Sequence, residues 1–565
     1  MNPLLSIKNL SIQFTQEGKS GAAVNNNSFE VAAGELVAVV GESGSGKSVT
    51  ALSVLQLLPV QAGISGEIIF HQDKPVDLLK LSKKEISSIR GNKIGMIFQE
   101  PMTSLNPVFT CGYQVMEAIQ LHQKVNKEAA RKKTIELFEK VNLPDPVNLI
   151  NRYPHELSGG QKQRVMIAMA MSCNPALLIA DEPTTALDVT VQKTILELIK
   201  SLQQQNKMGV IFITHDLAVV ADIADKIVVM RKGEIVEKGF AKDILQNPQH
   251  SYTRALLACR PGGKTKGERL PVVSDFTEEQ KESYNPQRVI RTTNNEQKPT
   301  VLEIKNLQVH FPVKKNLFGK ATQYFKAVDD VSFTVQQGDI VGLVGESGCG
   351  KTTLGRSILQ LIKPTSGKIL LDGKDLTQTN AEVLRKMRKD LQIVFQDPYG
   401  SLNPRITIGE AILEPLKVHS VLSNNSQRKE KVMELLEKVS LDTSHFNRYP
   451  HQFSGGQRQR ICIARALALN PSFLIFDESV SALDVSVQAQ VLNLLNDLKA
   501  EFGFTAIFIS HDLSVVHYIC NRILVMYKGK IVEEGTADQV YHHPSNDYTR
   551  KLINAIPGKS IIQFS

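Results

Sequence analysis

The sequence predicts an α/β fold in which one domain, built around a mostly parallel β-sheet, occurs twice in tandem. A block at residues 152–182 returns without gaps at 448–478, an offset of 296 residues, and 19 of its 31 positions are identical. Each copy also places a glycine-rich loop between an apolar strand and a helix, and further apolar strands alternate with helical segments. Alternating strands and helices typically form a parallel sheet covered by helices, so each copy should bury its own core.

The elements of the first copy follow in order from local patterns. Alternating apolar residues predict a first strand, the glycine loop opens the first helix, and short strands follow it. A mostly helical region comes next, then a second glycine loop with its helix, a buried strand, a helix and a last strand. The corresponding ranges are 5–14, 41–48, 66–70, 94–98, 107–150, 158–173, 176–180, 189–205 and 209–213. The second copy begins at residue 301 with the same order.

Residues 261–300 interrupt this pattern. They are rich in Lys, Glu, Thr, Asn and Pro, with few clustered apolar residues, which predicts a flexible linker. We therefore expect a first domain at 1–260, a linker at 261–300 and a second domain at 301–565.

The two glycine loops have the G-x-x-x-x-G-K-[ST] spacing of a phosphate-binding loop. Glycine lets the backbone approach a triphosphate closely, and the N-terminus of the following helix adds partial positive charge. The predicted ATP-binding residues of these loops are Gly41, Ser43, Gly44, Ser45, Gly46, Lys47, Ser48, Gly345, Ser347, Gly348, Cys349, Gly350, Lys351 and Thr352. Lysine reaches the terminal phosphates, and the hydroxyls of Ser48 and Thr352 are predicted ligands of Mg²⁺.

An Asp-Glu pair ends a buried apolar strand in each copy, at Asp181-Glu182 and Asp477-Glu478. Such a carboxylate lies beside the phosphate loop, so we predict that the aspartates hold Mg²⁺ and that the glutamates polarise the attacking water. Alone, each aspartate would fit the N-cap of the next helix equally well. The two phosphate loops favour the catalytic interpretation.

Composition limits the class of protein. The net charge of +9 is dispersed in short runs, which favours a solvated surface over a nucleic-acid interface. No apolar run approaches the roughly 18–20 residues that span a bilayer, and residues 1–30 lack the apolar core of a signal peptide. The six cysteines have no zinc-site or C-x-x-C spacing, as in a reduced cytoplasmic protein. Any membrane role should therefore be peripheral, through a partner.

Further motifs, each present twice, resemble those of ABC ATPases. They comprise a Gln after an apolar strand, a signature loop, a short Ala-Leu-Asp motif after the Asp-Glu pair, and a switch histidine. These residues are Gln99, Gln396, Leu157-Ser158-Gly159-Gly160-Gln161, Phe453-Ser454-Gly455-Gly456-Gln457, Ala186-Leu187-Asp188, Ala482-Leu483-Asp484, His215 and His511. The resemblance covers residues 1–260 and 301–558. It implies ATP and Mg²⁺ as cofactors, an antiparallel β subdomain in each half, and helical subdomains at about 101–156 and 398–452.

The resemblance also implies how the site residues work. Two such domains would close head to tail over two ATP molecules, so that each phosphate loop faces the signature loop of the other half. The implied catalytic residues are Glu182, His215, Glu478 and His511. The implied ATP-binding residues outside the phosphate loops are Gln99, Ser158, Gly159, Gly160, Gln161, Gln396, Ser454, Gly455, Gly456 and Gln457, and Gln99 and Gln396 would also bind Mg²⁺. Phe14 and Phe311 resemble the aromatic residue that stacks on adenine, with Tyr324 or Phe325 as competitors in the second half.

Two departures between the copies concern the sites. Pro183, after the first glutamate, is replaced by Ser479, which should loosen the turn but removes no catalytic group. We therefore expect both sites to hydrolyse ATP. Cys349 lies inside the second loop, where amide donors and a helix N-terminus should lower its thiol pKa and make it an alkylation target that ATP protects; a tolerated replacement of serine is the alternative.

Two repeated segments resemble the dipeptide/oligopeptide importer branch of the family. They are Glu100-Pro101-Met102-Thr103-Ser104-Leu105-Asn106-Pro107 with its counterpart 397–404, and the tails around Tyr252 and Tyr548. Two such halves in one chain resemble the fused ATPase subunit of glutathione and peptide importers. Some relatives carry a cysteine cluster for iron–sulfur binding, but only Cys259 stands in that region, so we expect no cluster.

The importer resemblance implies two transmembrane permease subunits as partners and, indirectly, an extracytoplasmic substrate-binding protein, at the cytoplasmic face of the inner membrane. The helical subdomains would receive the permeases, and no nucleic acid is implied. The alternative is a translation factor of the ABC-F kind, which also carries two ABC domains but acts on the ribosome. Its linker is typically longer, highly charged and helical, unlike the proline-containing segment here.

Overall fold

A computed structural model describes residues 3–16, 19–72, 74–99, 104–185, 187–262, 268–276, 298–315, 321–481 and 483–558. Within this part of the chain the two sequence copies form two halves with the same order of strands. No helix among these residues is both long enough and apolar enough to cross a membrane.

The first half contains ten strands and ten α-helices in the described residues. The strands are β1 (Pro3–Gln16), β2 (Lys19–Ala32), β3 (Leu36–Val40), β4 (Ala62–Phe70), β5 (Val76–Asp77), β6 (Ile94–Ile97), β7 (Leu177–Asp181), β8 (Gly209–Thr214), β9 (Lys226–Arg231) and β10 (Glu234–Phe240). The helices are α1 (Lys47–Val54), α2 (Lys83–Ile89), α3 (Cys111–Gln123), α4 (Lys127–Lys140), α5 (Pro146–Leu149), α6 (Gly159–Ala170), α7 (Val189–Asn206), α8 (Leu217–Val220), α9 (Ala241–Gln246) and α10 (Ser251–Ala258).

The second half repeats the order of the strands and of most helices over its described residues. Its strands are β11 (Thr300–Lys315), β12 (Ala321–Gln336), β13 (Ile340–Val344), β14 (Ser366–Leu371), β15 (Lys374–Asp375), β16 (Leu391–Val394), β17 (Phe473–Asp477), β18 (Thr505–Ser510), β19 (Arg522–Tyr527) and β20 (Lys530–Thr536). Its helices are α11 (Lys351–Ile358), α12 (Ala381–Met387), α13 (Pro398–Ser401), α14 (Ile408–Val418), α15 (Asn425–Lys438), α16 (Gly455–Leu467), α17 (Val485–Phe502), α18 (Leu513–Ile519), α19 (Ala537–His542) and α20 (Asp547–Asn554).

Each half has two sheets, which confirms the predicted α/β class and the antiparallel β subdomain. In the first half a six-stranded sheet has the order β10-β9-β3-β8-β7-β6, and all its neighbours are parallel except the edge pair β9 and β10. An antiparallel sheet has the order β2-β1-β4-β5. The second half repeats both orders. The central strands β3 and β13 therefore end at the carboxyl edge of a parallel sheet, where ligands bind in open α/β folds.

The central strand serves two cores because successive side chains of a strand point to opposite faces. Val37 and Val39 pack with the antiparallel sheet, whereas Leu36, Ala38 and Val40 pack with the helices. The same alternation occurs in β13. A strand buried on both faces explains the uninterrupted apolar run before each phosphate loop. The helical region predicted between the strands is present as α3 to α5. The buried apolar side chains of α3 and α4 belong to the core that lies between the parallel sheet and the helices of the first half.

Part of the predicted linker differs from the expectation of a flexible chain. Residues 268–276 pack on the second half, where Leu270 is fully buried and its backbone N–H and C=O both bond to the side chain of Asn493, at 2.9 and 2.8 Å. The Tyr518 hydroxyl donates to the carbonyl of Glu268 at 2.7 Å. The polar composition of the segment predicts no packing, but the apolar side chains of Leu270, Val272 and Val273 pack against the core of the second half. Linker residues 263–267 and 277–297, and the tail 559–565, lie outside the described residues.

Candidate active sites

Each phosphate loop connects the end of the central strand to the start of a helix. The first loop leaves β3 and α1 begins at Lys47, directly after Gly46, whose φ is 98°. A Cβ atom on Gly46 would lie 2.6 Å from the carbonyl oxygen of Ala23, and one on Gly350 would lie 2.0 Å from that of Ala327. Both the left-handed backbone and the close approach require glycine at this position.

The loop lysines are buried against their own loops. Lys47 is 4% exposed, and its ammonium donates to the carbonyls of Gly41 and Glu42, at 2.8 Å each. Lys351 makes the same two contacts in the second loop, at 2.7 and 3.1 Å. Burial lowers the pKa of Lys47, although nearby carboxylates, Glu182 foremost, oppose that shift. The ammonium charge is thus held in the concave side of the loop, where a triphosphate would bind.

Two of the three predicted Mg²⁺ ligands of each half, the hydroxyl and the aspartate, are in contact. The Ser48 hydroxyl donates to Asp181 at 2.9 Å, and the Thr352 hydroxyl donates to Asp477 at 3.1 Å. Burial raises the pKa of Asp181 to about 6 and also raises the pKa of Asp477, while the hydroxyl hydrogen bonds oppose the rise. A hydroxyl and a carboxylate in contact are the hard oxygen ligands that Mg²⁺ prefers, so these residues fit the ion.

The predicted catalytic glutamates have an unusual backbone. Glu182 and Glu478 both have a φ of 46°, and each backbone N–H bonds to the carbonyl of the neighbouring strand, Ile213 or Ile509, at 3.0 Å. A non-glycine residue in the left-handed region is strained, and such strain is concentrated at functional sites. The turn holds each glutamate at the sheet edge directly after the aspartate.

The glutamate carboxylates contact the other predicted residues of their own half. Glu182 accepts a hydrogen bond from Gln99 at 3.3 Å and lies 3.4 Å from Nδ1 of His215. In the second half the distances from Glu478 to Gln396 and His511 are 2.8 and 3.6 Å. The predicted glutamine, glutamate and histidine therefore meet in each half.

Each histidine and its glutamate shift the pKa of one another. Burial opposes ionisation of the glutamates, but the histidines outweigh it, holding the pKa of Glu182 at about 2 and lowering that of Glu478. Burial would also lower the pKa of His215 and His511, yet the adjacent glutamates raise both above the usual value. Each pair therefore favours an anionic carboxylate beside a cationic imidazole.

The signature loops begin helices α6 and α16. The Ser158 hydroxyl accepts from the Gln161 N–H at 3.3 Å, while the Gln161 side chain accepts from the Ser158 N–H at 3.0 Å. Ser454 and Gln457 repeat this capping box. The Gln161 and Gln457 side chains thus cap their own helices. Each serine hydroxyl acts only as an acceptor in this motif, so its O–H can donate to a ligand. A Cβ on Gly160 or Gly456 would collide with a valine of the following helix, at 2.7 and 2.2 Å.

The two halves contact each other reciprocally at the phosphate loops. Asp188, at the start of α7, accepts hydrogen bonds from the N–H and the hydroxyl of Ser347, at 2.7 and 2.6 Å. Asp484, at the start of α17, accepts from the N–H of Ser43 at 2.8 Å. The next turn adds Thr190 donating to Glu346 at 2.8 Å and Ser486 donating to Glu42. The halves are therefore arranged head to tail, with each phosphate loop on the other half.

These interface roles are absent from the predicted site residues. The sequence shows the Ala-Leu-Asp motif but indicates no partner for Asp188 or Asp484. Ala186 and Ala482 lie outside the described residues. The sequence carried a signal, because Ser43, Glu42 and Thr190 have matching residue types in the second copy. Which half each would contact could not be read from that repeat.

The aromatic candidates lie at the ends of the antiparallel hairpins. Phe14 is half-buried against the core between the two sheets of the first half. Phe311 is exposed and pairs across the second hairpin with the exposed Phe325. Tyr324 pairs with Pro312 and is exposed as well. The end of the second hairpin thus carries three exposed aromatic residues, and adenine stacking by Phe14 or Phe311 stays a prediction.

The expected activation of Cys349 is wrong. The thiol is 7% exposed, and burial raises its pKa even though Lys351 and a backbone hydrogen bond act in the opposite direction. Loss of hydration disfavours a buried thiolate more than the loop amides stabilise it.

Comparison with known proteins agrees with this geometry. The family model described as ABC transporter matches residues 24–185 and 328–481, and the model described as oligopeptide/dipeptide transporter, C-terminal region, matches residues 236–282 and 532–560. The glutathione import ATP-binding protein GsiA of Pectobacterium atrosepticum is 47% identical over 98% of this chain and 89% of its own length. The protein of the same name from Escherichia coli K12 is 48% identical with the same coverage. These matches give no support to the ribosomal alternative, and the chain belongs to the ABC transporter ATPases, as a tandem ATP-hydrolysing subunit with the C-terminal region of the oligopeptide/dipeptide branch.

Proposed function

We propose that this chain powers the import of glutathione or short peptides by hydrolysing ATP at two composite sites. The observation that carries the proposal is the reciprocal contact between each phosphate loop and the opposite half. A site shared between halves couples nucleotide binding to their closure, because ATP can be fully enclosed only when they meet. The glutathione import proteins to which the chain is nearly half identical support the choice of cargo.

In each site the triphosphate would bind to the loop amides and the loop lysine. Lys47 and Lys351 would exchange their contacts with loop carbonyls for phosphate oxygens. Ser48, Asp181 and Gln99 would hold Mg²⁺ in the first site, and Thr352, Asp477 and Gln396 in the second. When bound, Mg²⁺ neutralises charge on the terminal phosphates. The contact between each hydroxyl and its aspartate supports this assignment.

We assign Glu182 and Glu478 to the attacking water. A carboxylate with a pKa near 2 is a weak base but a good hydrogen-bond acceptor, so Glu182 would orient and polarise the water rather than store its proton. His215 and His511, whose pKa values are raised, would bring positive charge toward the γ-phosphate. The Gln99 amide contact would fix the carboxylate as the halves close.

The signature loop of the other half would complete each site. Gly456 packs on Val487 of helix α17, and Ser486 of that helix contacts the first phosphate loop. Gly160 and Thr190 repeat the arrangement on α7 toward the second loop. This connection supports pairing Ser454–Gly456 with Lys47, and Ser158–Gly160 with Lys351. The N-termini of α16 and α6 would then face the terminal phosphates.

The helical subdomains would receive two permease subunits, which would keep the chain peripheral at the cytoplasmic face of the inner membrane. Both subdomains expose apolar and aromatic side chains. In the first half Phe109 and Tyr113 stack with ring centres 4.9 Å apart, close to the exposed Val108. In the second, Tyr399 and Val418 are 62% and 54% exposed. Apolar side chains exposed in clusters are typical of protein contact sites. An extracytoplasmic binding protein would deliver the cargo to the permeases.

Purification in mild detergent from native membranes tests the proposal. We expect two multi-span proteins to co-purify in equal amounts with the tagged chain. Reconstituted in vesicles with ATP, that complex should take up glutathione or a short peptide. Replacing Phe109 and Tyr113 by Ser should reduce co-purification while leaving ATP binding by the isolated chain unchanged. Recovery of ribosomes in place of membrane proteins would overturn the importer assignment.

A further inference from the structure

A tyrosine of the C-terminal region contacts the phosphate loop in each half. Tyr252, which is 1% exposed, accepts a hydrogen bond from the N–H of Glu42 at 3.1 Å. Tyr548 accepts from the N–H of Glu346 at 3.0 Å. Both tyrosines are the second residues of their helices, α10 and α20, and both lie in the matched C-terminal region. The contact thus joins this region to the nucleotide loop at two independent places.

The surroundings of the two rings differ while the hydroxyl contact is the same. The guanidinium of Arg231 lies 5.0 Å from the centre of the Tyr252 ring. The equivalent position in the second half holds Tyr527, whose ring centre is 4.3 Å from that of Tyr548. Burial raises the pKa of both hydroxyls, so they stay neutral and accept through oxygen. What the halves share is therefore the hydroxyl contact with the loop rather than the packing of the ring.

The loop residue held by each tyrosine also contacts the opposite half. The Glu42 backbone bonds to Tyr252, while its carboxylate accepts from the hydroxyl of Ser486. Glu346 does the same with Tyr548 and Thr190. One residue at the start of each loop is thus fixed by its own C-terminal region on one side and by the other half on the other.

We propose that Tyr252 and Tyr548 are positioning residues for ATP binding, acting through Glu42 and Glu346. Each hydroxyl holds the second residue of the loop, which sets the path of the following amides and presents the glutamate to the opposite half. The C-terminal region then has a role inside the nucleotide site itself. This inference rests on the proposed placement of the triphosphate in the loop.

Replacing tyrosine by phenylalanine removes the hydroxyl and keeps the ring. The Glu42 N–H then loses its acceptor, and the loop is no longer held at that point. A single hydrogen bond of this kind corresponds to a change of about two- to tenfold in an equilibrium constant. We expect Tyr252→Phe and Tyr548→Phe each to weaken ATP binding by that factor, with little change in the thermal unfolding midpoint.

Equilibrium binding of ATP is measured on the full chain carrying Glu182→Gln and Glu478→Gln, so that ATP is not consumed. Tyr518→Phe, which removes a buried hydroxyl that donates to the carbonyl of Glu268 in the linker, is the matched control and should bind like its parent. An unchanged dissociation constant in both tyrosine variants would overturn the inference. If instead the parent binds no ATP, or Lys47→Ala with Lys351→Ala binds as the parent does, the proposed nucleotide site itself is wrong.

A double-mutant cycle separates positioning from a general structural effect. Tyr252→Phe and Ser486→Ala act on the same glutamate, so their combined effect on ATP binding should differ at least about twofold from the product of the single effects. Tyr252→Phe with Thr190→Ala is the control pair, because Thr190 contacts the other loop. Its effects should multiply. Multiplication in both pairs would contradict action through Glu42.

Discussion

The two halves present the same catalytic groups but support them differently. In the first half the Thr185 hydroxyl donates to the Glu182 carboxylate at 2.9 Å. In the second, Ser481 at the equivalent position donates to the backbone carbonyl of Glu478 at 2.8 Å instead. Glu478 has the ammonium of Lys351 3.8 Å away. Each carboxylate is stabilised by its histidine and its loop lysine, but Glu182 also accepts the Thr185 hydroxyl, whereas the corresponding hydroxyl of Ser481 bonds to the backbone.

The contacts between the halves are also unequal. Asp188 of the first half accepts two hydrogen bonds from the second phosphate loop, because Ser347 uses both its N–H and its hydroxyl. For Asp484 and the first loop, the N–H of Ser43 is the corresponding contact. The second site is therefore the more firmly joined to its opposite half. The two halves therefore share the same reacting groups but differ in the residues that form hydrogen bonds with them.

The glutamates provide the largest expected effect and test whether both sites hydrolyse ATP. Loss of a group that orients and polarises the attacking water costs about 10²-fold or more at a site, because the reacting atoms are then misplaced. We expect Glu182→Gln or Glu478→Gln alone to remove at least about half of steady-state ATPase activity, and the double variant about 100-fold or more. Phosphate release by the purified chain measures this, and ATP binding serves as the control for folding. Full activity in either single variant would show that only the other site turns over.

The unequal contacts between halves predict an unequal response to losing each aspartate. A hydrogen bond to a charged group contributes about 1.5–3 kcal/mol. Asp188→Ala should therefore lower kcat/KM for ATP by about tenfold or more, and Asp484→Ala by less. The variants Asp188→Asn and Asp484→Asn keep an acceptor of the same shape and should lose less activity than the alanines. Equal losses for the two alanine variants would mean that the extra Ser347 hydroxyl bond contributes nothing.

Cys349, which stands where the first loop has Ser45, predicts a difference in chemical reactivity. Its raised pKa leaves less thiolate at neutral pH than an ordinary thiol, whose pKa is about 8.5, so alkylation should be slow and should accelerate as pH rises through and beyond that range. Rates of iodoacetamide labelling by mass spectrometry should be several-fold lower at Cys349 than at the more exposed Cys173 at pH 7. Faster labelling at Cys349 than at Cys173 would instead support the lowered thiol pKa expected from the sequence. Cys349→Ser should leave ATPase activity within about twofold.

Local sequence predicted the parts of the fold and site that depend on neighbouring residues. The apolar run, glycine spacing and strand-end carboxylates indicate the phosphate loops and the Asp-Glu pairs, and Ser48 contacts Asp181 as expected. These groups meet because a parallel sheet collects the ends of its strands at one edge.

What the sequence could not indicate depends on packing between distant segments. The bond from Ser43 to Asp484 spans 441 residues, and that from Glu42 to Tyr252 spans 210. The burial that reverses the pKa shift of Cys349 is likewise a property of the folded core, as is the anchoring of Leu270 to Asn493. A repeat shows that such residues come in pairs, but only the assembled halves show what each one contacts.

The turn after the glutamate gives the smallest expected effect. Glu182 and Glu478 share a φ of 46°, and the turn bonds from Thr185 and Ser481 are both 3.2 Å long, so replacing Pro183 by Ser479 has not changed the backbone. Ser479 is buried, with no hydrogen-bond partner for its hydroxyl among the described residues. Since proline restricts the unfolded chain where its backbone already fits, Ser479→Pro should stabilise the second half by about 0.4–1 kcal/mol and Pro183→Ser should destabilise the first comparably.

Thermal and urea unfolding of the full chain measure these changes, with Ser479→Ala separating the two causes. The alanine variant removes the unpartnered hydroxyl but leaves the unfolded chain unrestricted. If Ser479→Pro is more stable than Ser479→Ala, the difference in the free energy of unfolding is due to the restriction of the unfolded backbone by proline. If Ser479→Pro instead lowers stability or ATPase activity, the second glutamate needs a freedom in its turn that the first does not, and the two sites differ in motion as well as in their contacts.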